Sequence, residues 1–304
     1  MARHTSYRIG GPARVWVGTE SAQGVVNTLE WLKTRQIPYV ILGQGTNLLV
    51  SDRGVQAVVL SIADGLKDVA IREETMDSGS GVLLTKLSHL AARAGLGGLE
   101  FAISIPGTLG GALVMNAGAH GSAMVEVVRS VRVWDPVAGV RDIQAVEAEF
   151  AYRQSRFQRS PWIALTAELV LHPRDADEIR DAMRRFMTHR KSTQPVGQPN
   201  AGSVFKNPRP LYAGRLIESV GGKGWRAGDA EVSCLHANFI VNVGRAKAED
   251  VLRLMRRIRC AVYQRYHVIL RPEVRWVGPG EGGASATWEN LWYEEGVGLT
   301  EPCE

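Results

Sequence analysis

A chain of 304 residues that is 45% hydrophobic and 22% charged suits a globular protein of two or three units with room to bury a nucleotide-sized cofactor. It offers no run of about 18 apolar residues for a membrane span and no apolar signal-peptide core between Met1 and Gly11. The three cysteines, Cys234, Cys260 and Cys303, form no CxxC pair; no disulfide framework and no metal site are expected, and a reducing, cytoplasmic setting fits best. The net charge of +5 is uneven: the last 27 residues, from Gly278, hold six Glu and no Lys or Arg, leaving 36 basic against 25 acidic residues elsewhere, a surface that suits a small anionic ligand as well as nucleic acid.

In chain order, Arg14 to Val17 reads as a strand, and Ser21 caps a helix whose buried stripe is Val25, Leu29 and Leu32. Strands Pro38 to Leu42 and Ala57 to Ile62 flank a glycine loop, and this unit ends near Gly65. A second unit holds a strand over Leu66 to Ile71 and a helix around Thr85 to Ala94, closed by Gly95. It continues through a glycine-rich stretch to strands Val127 to Trp134 and Ile163 to Leu171. In the third unit, Asp175 and Glu178 form a capping box for a helix that turns Ile179, Met183 and Phe186 inward. A helix near Leu211 to Val220, a strand over Asn238 to Val243 and a helix over Ala246 to Tyr266 follow. The last helix buries Val251, Met255, Ile258 and Val262, and its arginines are expected to face water. These elements predict an α+β fold with units at 1–65, 66–172 and 173–278. The acidic tail, 279–304, reads as disordered by composition, although Trp288 and Trp292 lie one helical turn apart.

Five stretches have the residue types for chemistry. Gly43, Gln44, Gly45, Thr46, Asn47 and Leu48 follow a strand. Their backbone N–H groups and the Thr46 and Asn47 side chains can surround a diphosphate. The loop is no Rossmann fingerprint, because a third glycine is missing and LLVSD leads into a strand; by itself it fits a plain glycine-rich turn equally well. Ile105, Pro106, Gly107, Gly110, Gly111, Asn116 and Gly118 lie in an apolar stretch whose glycines suit close backbone approach to a flat or anionic group, or tight packing of a small helix on a sheet. In AGSVFKNP, Ser203 can exchange a proton and Lys206 can meet a phosphate, with no GxSxG elbow to support an esterase. Arg153 in YRQSRF can neutralise an oxyanion and Glu273 in RPEV can polarise a hydroxyl, though each alone also fits a surface ion pair. His236 reads as an ordinary hydrogen-bonded residue at the start of a strand.

The order of these motifs is more specific than any one of them. TSYRIGGPA, LGQGTNLLVSD, GLEFAISIPGTLGGALVMNAGAHG, YRQSRF, NAGSVFKNP, GWRAGDAEVSCLHANFIVN and RPEVRWVG together closely resemble the UDP-N-acetylenolpyruvoylglucosamine reductase (MurB) family, from about Thr5 to Gly278. The short interval between Phe157 and Lys191 resembles the family's type II members.

That resemblance implies two N-terminal subdomains of the vanillyl-alcohol-oxidase/PCMH type that hold FAD through the two glycine stretches, and a third domain over the substrate. It implies NADPH as co-substrate and UDP-N-acetylglucosamine enolpyruvate as substrate, reduced to UDP-N-acetylmuramate for peptidoglycan synthesis. Hydride would reach C3 from flavin N5. Arg153 and Glu273 would stabilise the resulting enol-like species, and Ser203 would protonate C2. Tyr152, Lys206 and Asn207 would contact the substrate. A monomer is expected, with no nucleic-acid or membrane partner. A different FAD enzyme of this fold, an alcohol or sugar oxidase, is the competing expectation, and AGSVFKNP with RPEV argues against it.

Overall fold

The computed structural model describes residues 1–278. The expectations for the acidic tail and for Trp288 and Trp292 lie outside the described residues. The first unit is built on strand β1 (Ala13–Gly18), helix α1 (Ala22–Thr34), β2 (Tyr39–Leu42), β3 (Leu48–Val50) and β4 (Val55–Ser61). In β4 only Gln56 is exposed. Such an unbroken apolar run belongs to a strand covered on both faces, and β4 is the centre of a parallel sheet between β1 and β2. The Ser21 hydroxyl caps α1 by accepting from the Gly24 N–H, and Val25, Leu29 and Leu32 are buried as their spacing predicts.

The second unit is a five-stranded antiparallel sheet. Its strands are β5 (Val69–Arg72), β6 (Thr75–Gly79), β7 (Val128–Asp135), β8 (Gly139–Gln144) and β9 (Ile163–Val170), in the order β8-β7-β9-β6-β5. The apolar pattern predicts neither β6 nor β8. Helices α2 (Leu84–Arg93) and α3 (Leu109–Met115) contribute Leu84, Leu87, Leu109 and Leu113 to its core. The two units are tied where the indole N–H of Trp134 in β7 donates to Glu30 of α1 at 2.6 Å.

Helix α4 (Ala176–Thr193) corrects one expectation. The Asp175 carboxylate does accept from the N–H groups of Asp177 and Glu178, but the reciprocal half of the capping box is absent. Glu178 instead turns back to pair with Arg174 at 3.2 Å, since a guanidinium outcompetes a single backbone N–H for its charge. Ile179 and Met183 are buried, and Phe186 stacks on His120 with ring centres 4.0 Å apart.

The third unit comprises α5 (Ala213–Ser219), β10 (Arg226–Ala227), β11 (Ala230–Val232), β12 (Ile240–Asn242), α6 (Ala248–Tyr266) and β13 (Arg275–Val277). The α6 stripe of Val251, Met255, Ile258 and Val262 is buried, in one cluster with Tyr7, Ile9 and Leu49 from the N-terminal part. Contrary to expectation, the α6 arginines do not all face water. Arg259 is 1% exposed, and its Nε donates to the Leu270 carbonyl at 3.1 Å, fixing the turn that leads to Arg271 and Glu273. Asp52, just past β3, accepts from the N–H groups of Ala248 and Glu249 and so caps α6 from 196 residues away.

The pairing that matters most for the site is β13 alongside β3, parallel, with Arg275 opposite Leu48. It brings the C-terminal RPEV segment beside the loop that precedes β3. No helix among the described residues is long and apolar enough to cross a membrane.

Candidate active site

The loop from Gly43 to Asn47 joins β2 to β3, and backbone geometry explains its glycines. Gly45 has φ +61°, and a Cβ there would sit 2.3 Å from the His4 carbonyl oxygen. A Cβ on Gly43 would meet the Thr108 hydroxyl at 2.5 Å. The Thr46 hydroxyl donates to the Pro106 carbonyl at 3.1 Å. The two glycine stretches, separate in sequence, therefore interlock as one lip. Among the described residues, the N–H groups of Gly43, Gln44, Gly45 and Thr46 donate to no protein acceptor. Gly43, Gln44 and Thr46 border a cleft of 750 Å³ that Arg3, Lys67 and Lys86 also line, against a single carboxylate, Asp64. Consecutive free N–H donors with a surplus of cations fit a diphosphate.

Other glycines of the second stretch are packed inward. Gly110 lies against Ser80, donating its N–H to the Ser80 carbonyl at 2.8 Å, and a Cβ on Gly118 would collide with the Ser122 carbonyl. Gly111 is exposed, and a Cβ there would make only ordinary contact with the Thr108 hydroxyl at 3.7 Å. Asn116 ends α3 with φ +41°. Its side chain accepts from the Val125 N–H and donates to the Ala151 carbonyl, each at 3.0 Å. Both ends of that amide are thus used to hold the YRQSRF segment.

That segment is strapped to the end of α3. Ser155 and Gln158 both donate to the Val114 carbonyl, and Gln158 also donates to the Arg153 carbonyl. Arg153 itself is held at φ +55°, a conformation that a non-glycine residue adopts at a cost. Its guanidinium Nε lies 2.8 Å from Oε1 of Glu273, although the N–H does not point squarely at the oxygen. The contact is a short ion pair more than a well-formed hydrogen bond.

Glu273 is fixed from both sides. Its N–H donates to the Val204 carbonyl at 2.8 Å, and its own carbonyl accepts from the Asn47 side chain at 3.2 Å. Asn47 therefore couples the glycine loop to Glu273. Burial pushes the Glu273 carboxyl above the ordinary carboxylate range, and the pull of Arg153 and Lys206 in the opposite direction does not cancel it. Burial likewise lowers the Lys206 ammonium, against the favourable field of Glu273 and with the like charges of Arg271 and Arg153.

The AGSVFKNP loop is pinned by Asn238, which is 3% exposed and is not among the candidate residues that the sequence suggests. Asn238 accepts from the Phe205 N–H at 3.0 Å, donates to the Phe205 carbonyl at 2.8 Å, and its backbone carbonyl takes the Val204 N–H. His236 accepts from the Asn238 N–H through Nδ1, the ordinary role expected of it. Ser203 is half-buried, and its hydroxyl makes no hydrogen bond to the protein among the described residues. Asn207 spends its side-chain oxygen on the Ala213 N–H at the start of α5, leaving only its amide N–H groups for a ligand. The signal for Asn238 is a lone amide in the apolar run HANFIVN. Replacing Asn238 by alanine is expected to cost about 1–3 kcal/mol, because it strands buried backbone groups of Phe205. Turnover is expected to fall with FAD content retained, which thermal unfolding and flavin absorbance measure side by side.

The arrangement joins a cation-lined cleft with free N–H donors, through Asn47, to the half-buried cluster of Glu273, Arg153 and Lys206 and the loop of Ser203. The family description "FAD binding domain" matches residues 13–143, and "UDP-N-acetylenolpyruvoylglucosamine reductase, C-terminal domain" matches residues 194–277. UDP-N-acetylenolpyruvoylglucosamine reductase 2 of Symbiobacterium thermophilum is 47% identical over 90% of this chain and 89% of its own length. The reductase of Alkaliphilus oremlandii is 44% identical over 91% of each chain. The crystal structure of MurB from Thermus caldophilus superposes with a TM-score of 0.77 at 35% identity, over 90% of this chain and 96% of that one. This chain belongs to the UDP-N-acetylenolpyruvoylglucosamine reductase family and is an FAD-binding oxidoreductase.

Proposed function

We propose that this chain catalyses the NADPH-dependent reduction of UDP-N-acetylglucosamine enolpyruvate to UDP-N-acetylmuramate, a step of peptidoglycan precursor synthesis. The observation that carries the mechanism is the meeting of Arg153, Lys206 and Glu273, from three distant motifs, beside the glycine lip and the Ser203 loop. Residues 1–172 would hold the cofactor and 173–278 the substrate. Gly43 to Leu48, together with Ile105, Pro106, Gly107, Gly110, Gly111, Asn116 and Gly118, form the proposed FAD site, in part by direct contact and in part by shaping the lip. Arg275, whose N–H donates to the Asn47 carbonyl at 2.9 Å and which has no acidic partner among the described residues, adds a cation there.

FAD bound there would supply the two-electron chemistry that links NADPH oxidation to reduction of an electron-poor alkene. Reduction at C3 of the enolpyruvyl group leaves negative charge at C2 and its carboxylate. Arg153 faces that charge, and Glu273, whose carboxyl burial pushes above the ordinary range, orients Arg153 through their ion pair and hydrogen-bonds to the charge in its protonated form. Ser203 has a hydroxyl with no competing protein partner and gives its proton to C2. Lys206, Tyr152 and Asn207 bind the substrate.

The purified protein tests this in one cuvette. Its flavin absorbance is expected to bleach with NADPH under anaerobic conditions and to return on adding the enolpyruvyl sugar nucleotide. Bleaching without return would transfer the reaction to another acceptor, and rapid return with oxygen alone would favour an oxidase.

A further inference from the structure

The proposed reaction centre has more positive charge than its one carboxylate neutralises. Arg153 is paired with Glu273, and Lys206 lies in the field of both and of Arg271, to whose carbonyl its N–H donates at 2.9 Å. A further cation, Arg209, stands beside them. Its Cζ is 4.1 Å from the centre of the Tyr152 ring, and the Cζ of Arg153 is 5.6 Å from that same ring. The two guanidinium carbons are therefore no farther apart than those distances laid end to end. Arg209 is exposed and has no acidic partner among the described residues. Its main chain is held in a tight turn, with the Arg209 N–H on the Asn207 carbonyl at 3.0 Å and the Leu211 N–H on the Pro208 carbonyl at 2.9 Å.

Stacking on an aromatic ring uses the face of a guanidinium and leaves its N–H edge free for a bidentate anion. A surface arginine kept only for solubility needs no such mount, whereas one that must meet a phosphate gains from having its planar group oriented beforehand. We propose that Arg209 is a specificity-determining residue that grips the diphosphate of a nucleotide substrate, with Tyr152 as its rest. The proposal builds on the function proposed above. The sugar nucleotide and NADPH both carry a diphosphate, and separate measurements distinguish them.

The test uses the FAD-loaded full chain and the variants Arg209→Ala and Arg209→Lys, with Arg184→Ala, an exposed arginine of α4, as a control for loss of charge elsewhere. Binding of UDP alone to the oxidised enzyme is measured by calorimetry, and KM and kcat are measured for each substrate over a range of salt. In Arg209→Ala, the dissociation constant for UDP and the KM for the sugar nucleotide are expected to rise about tenfold, as for loss of a charge-assisted contact, with a weaker salt dependence and little change in kcat. Arg209→Lys is expected to recover only part, because an ammonium cannot stack and fork together. A rise confined to the KM for NADPH assigns the contact to the dinucleotide instead. Unchanged KM for both substrates, or a fall in kcat and thermal midpoint at constant KM, overturns the proposal and leaves Arg209 a structural clasp. If the unaltered enzyme does not turn over the sugar nucleotide, the proposed reaction fails, while UDP binding still decides the role of Arg209.

Discussion

Replacing Ser203 by alanine is expected to leave NADPH bleaching of the bound flavin at its normal rate and to slow the return of colour with the enolpyruvyl substrate by roughly 10²–10⁴-fold, the range of a lost general acid. The two half-reactions separate because only the second needs a proton delivered to carbon. The Ser203 hydroxyl has no protein hydrogen bond to break among the described residues, and the backbone on either side is held independently by Asn200 and Asn238. The substitution removes one oxygen without loosening the loop. Stopped-flow absorbance of each half-reaction checks this. Equal slowing of both, or of neither, would take the proton-donor role away from Ser203.

The second large effect is expected at Glu273. Glu273→Gln keeps a hydrogen-bonding amide of the same shape and is expected to lower turnover about 10²-fold or more, as for loss of a preorganised group that meets charge developing in the transition state. Its pH signature is more telling. Because burial raises the carboxyl above the ordinary range, its proton is kept to higher pH than an exposed glutamate's. If the protonated form is the active one, turnover declines as pH rises through that raised value, and the decline vanishes in the glutamine variant.

Stability follows the same linkage. Well below the ordinary carboxylate pKa the group is protonated in both folded and unfolded chains and contributes nothing. Between the ordinary and the raised value the unfolded chain ionises first, so folding is progressively penalised, and the penalty is complete above the raised value. Glu273→Gln is therefore expected to raise the thermal midpoint at neutral pH and to lose that gain in acid. A midpoint that falls at neutral pH would show that the Arg153 pair outweighs desolvation.

Much of this fold follows from chemistry between near neighbours in the chain. The stripes Val25, Leu29, Leu32 and Val251, Met255, Ile258, Val262 have helical spacing, and they are buried because side chains three and four apart share a helix face. The loop after β2 is separable from a Rossmann turn by its missing third glycine and the strand behind it, and β3 is indeed a strand. The order of seven motifs points to the family. By contrast, Thr75–Gly79 and Gly139–Gln144 lack an apolar alternation; they are strands because β9 and β7 offer them hydrogen-bonding edges.

What only the tertiary structure decided are the polar partnerships between distant segments. Asp52 caps α6, Asn116 and Asn238 hold the arginine and serine loops, Arg259 is buried against Leu270, and Arg153 meets Glu273 across 120 residues of sequence. Periodicity and capping are properties of neighbouring residues, so the sequence alone determines them. Which donor meets which acceptor across the chain depends on the strand order and on the parallel pairing of β13 with β3, and burial raises the Glu273 carboxyl only after those partners have met.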